Sequence, residues 1–167
     1  MIPAPVPPDE AARLRALHAL LILDTPPEER FDRVVRFAAH ELGMPMALVS
    51  LVDGERQWFK SRVGLDALET PRDIAFCAHA ILQPDTFVVE DAREDERFFD
   101  NPLVTGAPFI RFYAGAPLTA PGGARVGTLC VLDSQPRALD AVERAVLEAL
   151  RTLVNEALAG AGPEEGA

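Results

Sequence analysis

The segment that most constrains the fold is a nearly continuous apolar run, Met46–Val52. Such a run is typical of a strand that is covered on both faces of its sheet. The dipeptide Asp53-Gly54 follows, and it favours a tight hairpin turn. Residues in Arg56–Val63 then alternate between two faces, which predicts a half-exposed second strand. The sequence therefore predicts a sheet with further structure packed on both sides.

Helical patterns lie at both ends of the chain. The first helix is predicted to begin at Asp9, after a proline-rich start. A second is predicted to begin at Thr25, where a capping box is followed by proline in the first turn. Its apolar stripe ends before a C-capping glycine and consists of Phe31, Val34, Val35, Ala38 and Leu42. The last helix is predicted to run from a capping box at Asp140 to about residue 159.

The middle of the chain supplies shorter elements. We predict a short helix capped by Asp73 at 74–82 and a strand at 87–90. A long loop at 91–108 is followed by two more strands at 109–118 and 126–133. This order predicts an α+β fold with a central, mostly antiparallel sheet. The terminal helices are expected on one face, and the short helix plus the long loop cover a pocket on the other. The domain is expected to span 9–159, between flexible tails at 1–8 and 160–167.

Composition excludes several classes of partner. The chain has 26 acidic against 16 basic residues and a formal net charge of −10, which argues against a protein that binds nucleic-acid phosphates. The longest unbroken apolar run, 19–23, is far too short to span a bilayer, and the first ten residues lack the basic start of a signal peptide. Two cysteines do not form a disulfide framework, so a cytoplasmic location is expected.

Several stretches, in this order, resemble the bacterial GAF domain family. They are LLILDTP at 20–26, FD at 31–32, LVSLVD at 48–53, QWFKS at 57–61, RDIAFCAHAI at 72–81, VEDA at 89–92, NPLV at 101–104, IRFYAGAPL at 110–118 and GTLCVLD at 127–133. The resemblance covers 9–159 and is strongest to the type found ahead of histidine kinases and diguanylate cyclases, here expected as a stand-alone domain. It implies a helix bundle on one sheet face and a ligand pocket on the other. Family ligands vary widely, from cyclic nucleotides to tetrapyrroles, haem and small metabolites, so the fold does not name the ligand.

Two cysteines raise the question of metal, chromophore or redox chemistry. Cys77 and His79 lie about 200° apart around a helix, and no third ligand is evident, so no metal site is predicted. Bilin-binding members of the family attach the chromophore through a cysteine followed directly by histidine, whereas Ala78 intervenes here. No cofactor is therefore expected. One enzymatic branch of the family reduces free methionine sulfoxide with several cysteines, and Cys77 and Cys130 keep a thiol-dependent redox enzyme open as an alternative.

The candidate ligand-binding residues lie between residues 59 and 113. Phe109, Arg111 and Tyr113 are predicted to share one face of a strand, where the arginine could hold an anion and the tyrosine could stack. The alternative is that Arg111 pairs with Asp91 or Asp95 and holds the loop closed. The full predicted set is Phe59, Phe76, Cys77, Ile81, Asp91, Phe109, Arg111 and Tyr113. Asp91 is either a ligand acceptor or a turn cap.

The last helix carries more apolar surface than one face requires. Leu147, Val154 and Leu158 lie on a second stripe, which predicts a homodimer through the terminal helices. The sequence thus favours a non-catalytic signalling module that senses an unknown small molecule or contacts a separate signalling protein. The third alternative is a scaffold whose pocket is plugged by Phe76, Phe98, Phe99, Phe109 and Phe112.

Overall fold

A computed structural model describes residues 1–160 and places a six-stranded sheet between two layers. The helices and strands are, in chain order, α1 Glu10–Ala19, α2 Glu29–Leu42, β1 Met46–Val52, β2 Arg56–Val63, β3 Glu69–Pro71, α3 Phe76–Ala80, β4 Phe87–Val89, α4 Pro102–Thr105, β5 Phe112–Thr119, β6 Arg125–Asp133 and α5 Ala141–Ala159. None of the helices within residues 1–160 is both long and apolar enough to cross a membrane.

The sheet is antiparallel throughout, in the order β3-β2-β1-β6-β5-β4. Every residue of β1 is buried, as its apolar run predicted. Ala47, Val49 and Leu51 pack in one hydrophobic core, whereas Met46 and Leu48 pack in another. Because successive side chains of a strand point to opposite faces, one central strand supplies both cores. The predicted α+β fold is confirmed.

The terminal helices cover the first face of the sheet. All five apolar residues of the predicted α2 stripe are buried. Gly43 ends that helix at φ 61°, a left-handed conformation that glycine adopts without strain. The capping box at the start of α5 is also present, since the Asp140 side chain accepts from the Glu143 backbone and the Glu143 side chain accepts from that of Asp140. The buried faces of these helices pack with the sheet in one hydrophobic core.

The second face is covered by mid-chain segments that contain little regular structure. The ring of Phe76 on α3 stacks on that of Phe98 in the long loop, with centroids 4.0 Å apart. Pro102–Thr105 forms α4 within the same loop, and Asn101 caps it by accepting from the backbone N–H of Leu103. The cover on this face thus consists of short elements joined by loops, and a cavity lies beneath it.

Two predictions for the N-terminal half of the chain are wrong: where the second helix begins and how exposed the second strand is. The second helix begins at Glu29, not at Thr25, because the Thr25 hydroxyl donates to the Ile22 carbonyl and accepts from the Lys60 ammonium at 2.7 Å. The β2 strand is not half-exposed, since Gln57 to Ser61 are all buried. Lys60 is buried on the helix side of the sheet because Glu28 neutralises its charge at 2.7 Å. A paired lysine can occupy a position that its polarity alone assigns to solvent.

The strand predicted to begin at Phe109 begins at Phe112 instead. Phe109 has a φ of 59°, so the chain turns there and the alternation of faces does not extend back from the strand. Phe109, Arg111 and Tyr113 consequently do not share one face. The predicted short helix is also divided, into a 3-10 turn at Arg72–Ile74 and α3, and Asp73 caps neither of them.

The N-terminal segment 1–8, for which a flexible tail is predicted, has no helix or strand and makes contacts with the domain. The Ile2 N–H donates to the Arg97 carbonyl at 3.0 Å, and the Ile2 carbonyl lies 2.9 Å from Nε2 of His79. The N-terminal ammonium pairs with Asp100. The C-terminal tail expected at 160–167 lies outside the described residues after Gly160.

The second stripe of α5 does not face solvent, which corrects the residues chosen for a dimer. Leu147, Val154 and Leu158 are fully buried in the core beneath the terminal helices. The helix has this extra apolar width because it packs against α2 on one side and against β5 and β6 on the other. The exposed apolar residues are Val142 and Leu153, which are 72% and 51% exposed.

Candidate functional site

A partly enclosed cavity of about 310 Å³ lies between the sheet and its mid-chain cover. It is at the small end of the range of about 300–1,000 Å³ typical of small-molecule pockets. Its lining residues are Met46, Leu48, Gln57, Phe59, Gly64, Leu65, Asp66, Ala67, Thr70, Phe76, Leu103, Ala107, Pro108, Ile110, Tyr113, Cys130 and Leu132. The cavity therefore lies under the two segments from which the sequence predicted a cover, with the β2–β3 loop as a third contributor.

The floor of the cavity comes from four strands of the sheet. Leu48 on β1, Phe59 on β2, Tyr113 on β5 and Cys130 on β6 belong to the same buried cluster. Antiparallel pairing brings Leu48 opposite Cys130, so alternate residues of adjacent strands form one continuous apolar surface. This floor is rigid because each strand is hydrogen-bonded to its neighbours.

Tyr113 lies along the floor rather than across it. A Cβ at Gly115 would come within 2.3 Å of the Tyr113 hydroxyl oxygen, so the absent side chain makes room for the ring. The hydroxyl lies 3.3 Å from the Thr128 hydroxyl oxygen. Burial raises the pKa of Tyr113 well above its usual range, so the phenol is neutral at physiological pH. The Tyr113 ring centroid is 5.3 Å from that of Phe76 on the cover.

One end of the cavity is polar. Nε2 of Gln57 donates to the Thr70 hydroxyl at 2.7 Å, and both residues line the wall. Oε1 of Gln57 accepts from the Ser50 hydroxyl at 2.9 Å and also from the Cys77 thiol. These groups lie behind Gln57 and hold its amide in place. The fixed amide in turn positions the Thr70 hydroxyl at the cavity wall.

Three of the predicted ligand-binding residues line the cavity, and the other five lie elsewhere. Phe59, Phe76 and Tyr113 form part of its wall. Cys77 and Ile81 are buried in a separate small cluster behind Gln57, with Val52, Ala75 and Ala78.

The remaining predicted residues lie outside the cavity. Asp91 pairs with Arg93 and caps a 3-10 turn, as the turn-cap alternative expected. Phe109 is 49% exposed. Arg111 donates to the Val104 carbonyl at 2.8 Å, so it holds the α4 segment through a backbone oxygen rather than through a carboxylate of Asp91 or Asp95.

Sequence reasoning missed the polar end and the loops of the cavity wall. Gln57 and Thr70 come from β2 and from the short β3, a three-residue strand with no apolar pattern of its own. A glutamine at an inward position of β2, beside Phe59, was the available signal. Leu103 and Pro108 lie in a segment that the sequence showed only as a long loop.

The five phenylalanines proposed as a plug do not fill the cavity together. Phe76 and Phe98 stack on each other in the cover, and Phe112 packs in the opposite core. Phe99 and Phe109 are 54% and 49% exposed. Only Phe76 of this set lines the cavity.

Both thiols are buried and hard to ionise. Burial raises the pKa of Cys77 to about 12, against smaller lowering effects that include the Ser50 hydrogen bond. Burial likewise raises the pKa of Cys130. His79 contacts Ile2 and the ring of Phe98, whereas Cys77 contacts Ser50 and Gln57. Within residues 1–160, no three His, Cys, Asp or Glu side chains come together as a metal site.

Comparison with known proteins identifies the family. The GAF domain family model matches residues 26–158, and the chain belongs to this family. The chain is 45% identical to Cyclic di-GMP phosphodiesterase PA2567 of Pseudomonas aeruginosa over 137 residues. This alignment covers 82% of the chain. The chain spans only 23% of that relative's length.

Solved structures agree with this assignment at the level of the fold. The GAF domain of an Acinetobacter phosphoenolpyruvate-protein phosphotransferase is 18% identical, with a TM-score of 0.64 over 90% of this chain and 94% of that one. The free methionine-R-sulfoxide reductase of Neisseria meningitidis, solved with its substrate, is 15% identical, with a TM-score of 0.63 over 96% of each chain. At these identities the similarity concerns architecture, and one fold can carry unrelated functions.

Thiol reactivity tests whether either cysteine can act as a nucleophile. In the folded protein at mildly alkaline pH, we expect neither Cys77 nor Cys130 to react with the disulfide reagent DTNB, because the thiolate is the attacking species and both thiols are buried. Both should react at once in guanidinium chloride. The Cys77→Ser and Cys130→Ser variants assign each signal. Rapid labelling of either thiol in the folded protein would contradict this assessment.

Proposed function

We propose that this GAF domain is a non-catalytic sensory module that binds one small molecule in the cavity between sheet and cover. The supporting observation is the cavity itself: an apolar space with a fixed polar end, on the face of the sheet that the terminal helices do not cover. Concave, mostly apolar pockets with a few placed polar groups are the usual form of small-molecule sites. The relative named as a cyclic di-GMP phosphodiesterase supports a role in regulating a signalling protein.

An ionic link connects the cavity cover to the terminal helices and supports an output through them. Arg72, two residues after Thr70 of the cavity wall, pairs with Glu10 at the start of α1 at 2.5 Å. Glu10 also accepts from Arg13, whose guanidinium donates to the Val52 carbonyl at 2.8 Å. Partial burial alone would raise the pKa of Glu10, but hydrogen bonds from Arg13 and Arg72 lower it to about 2. A ligand that moves Thr70 would therefore pull on α1 through a charged contact.

The rival function is a thiol-dependent redox enzyme. Its support is the fold shared with the methionine sulfoxide reductase and the position of Cys130 in the cavity wall. Against it, such an enzyme needs an attacking thiolate and a resolving partner. Burial disfavours the thiolate of both Cys77 and Cys130. The sensory proposal needs neither thiol to ionise.

Native mass spectrometry of freshly purified protein tests the sensory proposal. We expect a retained small molecule in the wild type, lost from Leu103→Trp because the larger ring enters the cavity from α4. Phe99→Trp is the matched control, since Phe99 lies in the same cover but is 54% exposed and does not line the cavity. Equal retention of the small molecule by the wild type and Leu103→Trp, or no retained molecule in either, would contradict the proposal. Circular dichroism establishes that both variants are folded.

We also propose that a second copy of this chain docks on the outer surface of α2 and α5. Phe37 and Leu153 are 50% and 51% exposed and line one groove between these helices. Arg33 from α2 and Glu156 from α5 line the same groove. A two-fold axis along the groove would bring arginines of one copy to glutamates of the other and repeat each contact. The surface is therefore both apolar and self-complementary in charge.

Replacing one exposed leucine tests this dimer. Leu153→Glu should convert the protein from a dimer to a monomer in sedimentation velocity and leave its circular dichroism spectrum unchanged, because its side chain is half exposed. Leu147→Glu is the control on the buried side of the same helix, and it should abolish the folded spectrum, because its charge would be unpaired in the core. A wild type that sediments as a monomer at high concentration would contradict the dimer.

A further inference from the structure

Charge is almost absent from the wall of the cavity. Among the residues that line it, Asp66 is the only one with an ionisable acid or base that is charged at neutral pH, and it lies exposed at the rim. Arginine, lysine and histidine do not occur in the lining. The wall thus has no group that could neutralise a bound anion.

Three cations of β2, the strand that carries Gln57 and Phe59 of the wall, have other partners. Arg62 donates to the Leu65 carbonyl at 3.0 Å from an exposed position. Arg56 pairs with Asp24 at 2.8 Å, and Lys60 packs on the opposite side of the sheet against α2. Moving any of them into the cavity would break an existing ion pair or hydrogen bond. These contacts therefore keep the positive charges out of the cavity wall.

Burial of an anion in such a space is unfavourable. A carboxylate or phosphate loses its hydration, and an apolar wall without a counter-ion returns little of that free energy. Asp66 at the rim adds repulsion for an anion that enters. A cyclic dinucleotide carries two phosphates, so the cavity does not suit the compound class named for the Pseudomonas relative.

The polar end offers one directional contact. The Thr70 hydroxyl accepts from Gln57 and donates to no acceptor within residues 1–160. Its hydrogen is therefore available to a ligand oxygen at the wall. Apolar side chains also line the cavity, among them Met46, Leu103, Pro108 and Leu132.

We infer that the cavity takes an uncharged, mainly apolar molecule that carries one hydrogen-bond acceptor, such as a hydroxyl or carbonyl oxygen, held by Thr70. This inference rests on the proposed sensory function and specifies its ligand class. The volume of about 310 Å³ limits the ligand to a small molecule. A carboxylate with the same number of carbon atoms would fit by size, and its charge is what disfavours its binding.

Competition with a neutral fluorescent probe tests the inference. The probe is 1-aminoanthracene, bound to the full chain and displaced by 1-decanol, decanoate or cyclic di-GMP at neutral pH. Decanol and decanoate match in length and differ in charge. We expect 1-decanol to displace the probe at a concentration at least about tenfold below that of decanoate, because the carboxylate must be desolvated without a counter-ion. Cyclic di-GMP should not displace it.

The outcomes separate this inference from the proposed function. Equal displacement by decanoate, or displacement by cyclic di-GMP, would overturn the neutral-ligand inference and leave the sensory proposal intact. No probe binding by the wild type above that of Leu103→Trp would count against both. Thr70→Val should weaken displacement by 1-decanol severalfold, because the isosteric side chain removes the donor. Unchanged displacement in a folded Thr70→Val protein would overturn the role assigned to the hydroxyl.

Discussion

The structure depends on one strand that is buried on both of its faces. Because β1 pairs with β2 on one side and β6 on the other, its side chains alternate between two separate cores. Gly127 allows this close pairing, since a Cβ there would lie 1.9 Å from the Ser50 carbonyl oxygen. The two cores differ in what covers them. Long helices fill the first, and short elements joined by loops cover the second, so the space for a ligand lies on the second face.

The contacts around the cavity follow from this division. The Gln57 amide oxygen is satisfied behind the wall, where it accepts from Ser50 and Cys77. The strong charges lie outside, and one of their pairs, Arg72 with Glu10, joins the cover to α1. A buried polar group costs free energy unless it is hydrogen-bonded, so pairing of this kind keeps the cavity apolar without destabilising the fold. The same pairing gives the cover a mechanical connection to a terminal helix.

Periodicity predicted most of the fold because it reports burial directly. The α2 stripe and the apolar run of β1 were both confirmed. The cavity was predicted on the correct face, and Phe59, Phe76 and Tyr113 line it. Errors arose where a partner distant in sequence decides the outcome. The Lys60 position depends on Glu28, and the start of α2 depends on a Thr25 hydroxyl that is already occupied. The part of the wall that β3 and the loops supply shows no periodic pattern in the sequence, so it could not be predicted.

Crystals of the ligand-free protein under xenon pressure test most directly whether the sheet separates a filled core from a hollow one. Xenon enters dry apolar cavities and is excluded from closely packed interiors. We expect xenon between Leu48, Phe76 and Leu103, and none between the sheet and the buried face of α5. A cavity filled by its own side chains, with no xenon in it, would show that both cores are closely packed and that no ligand space exists on the second face.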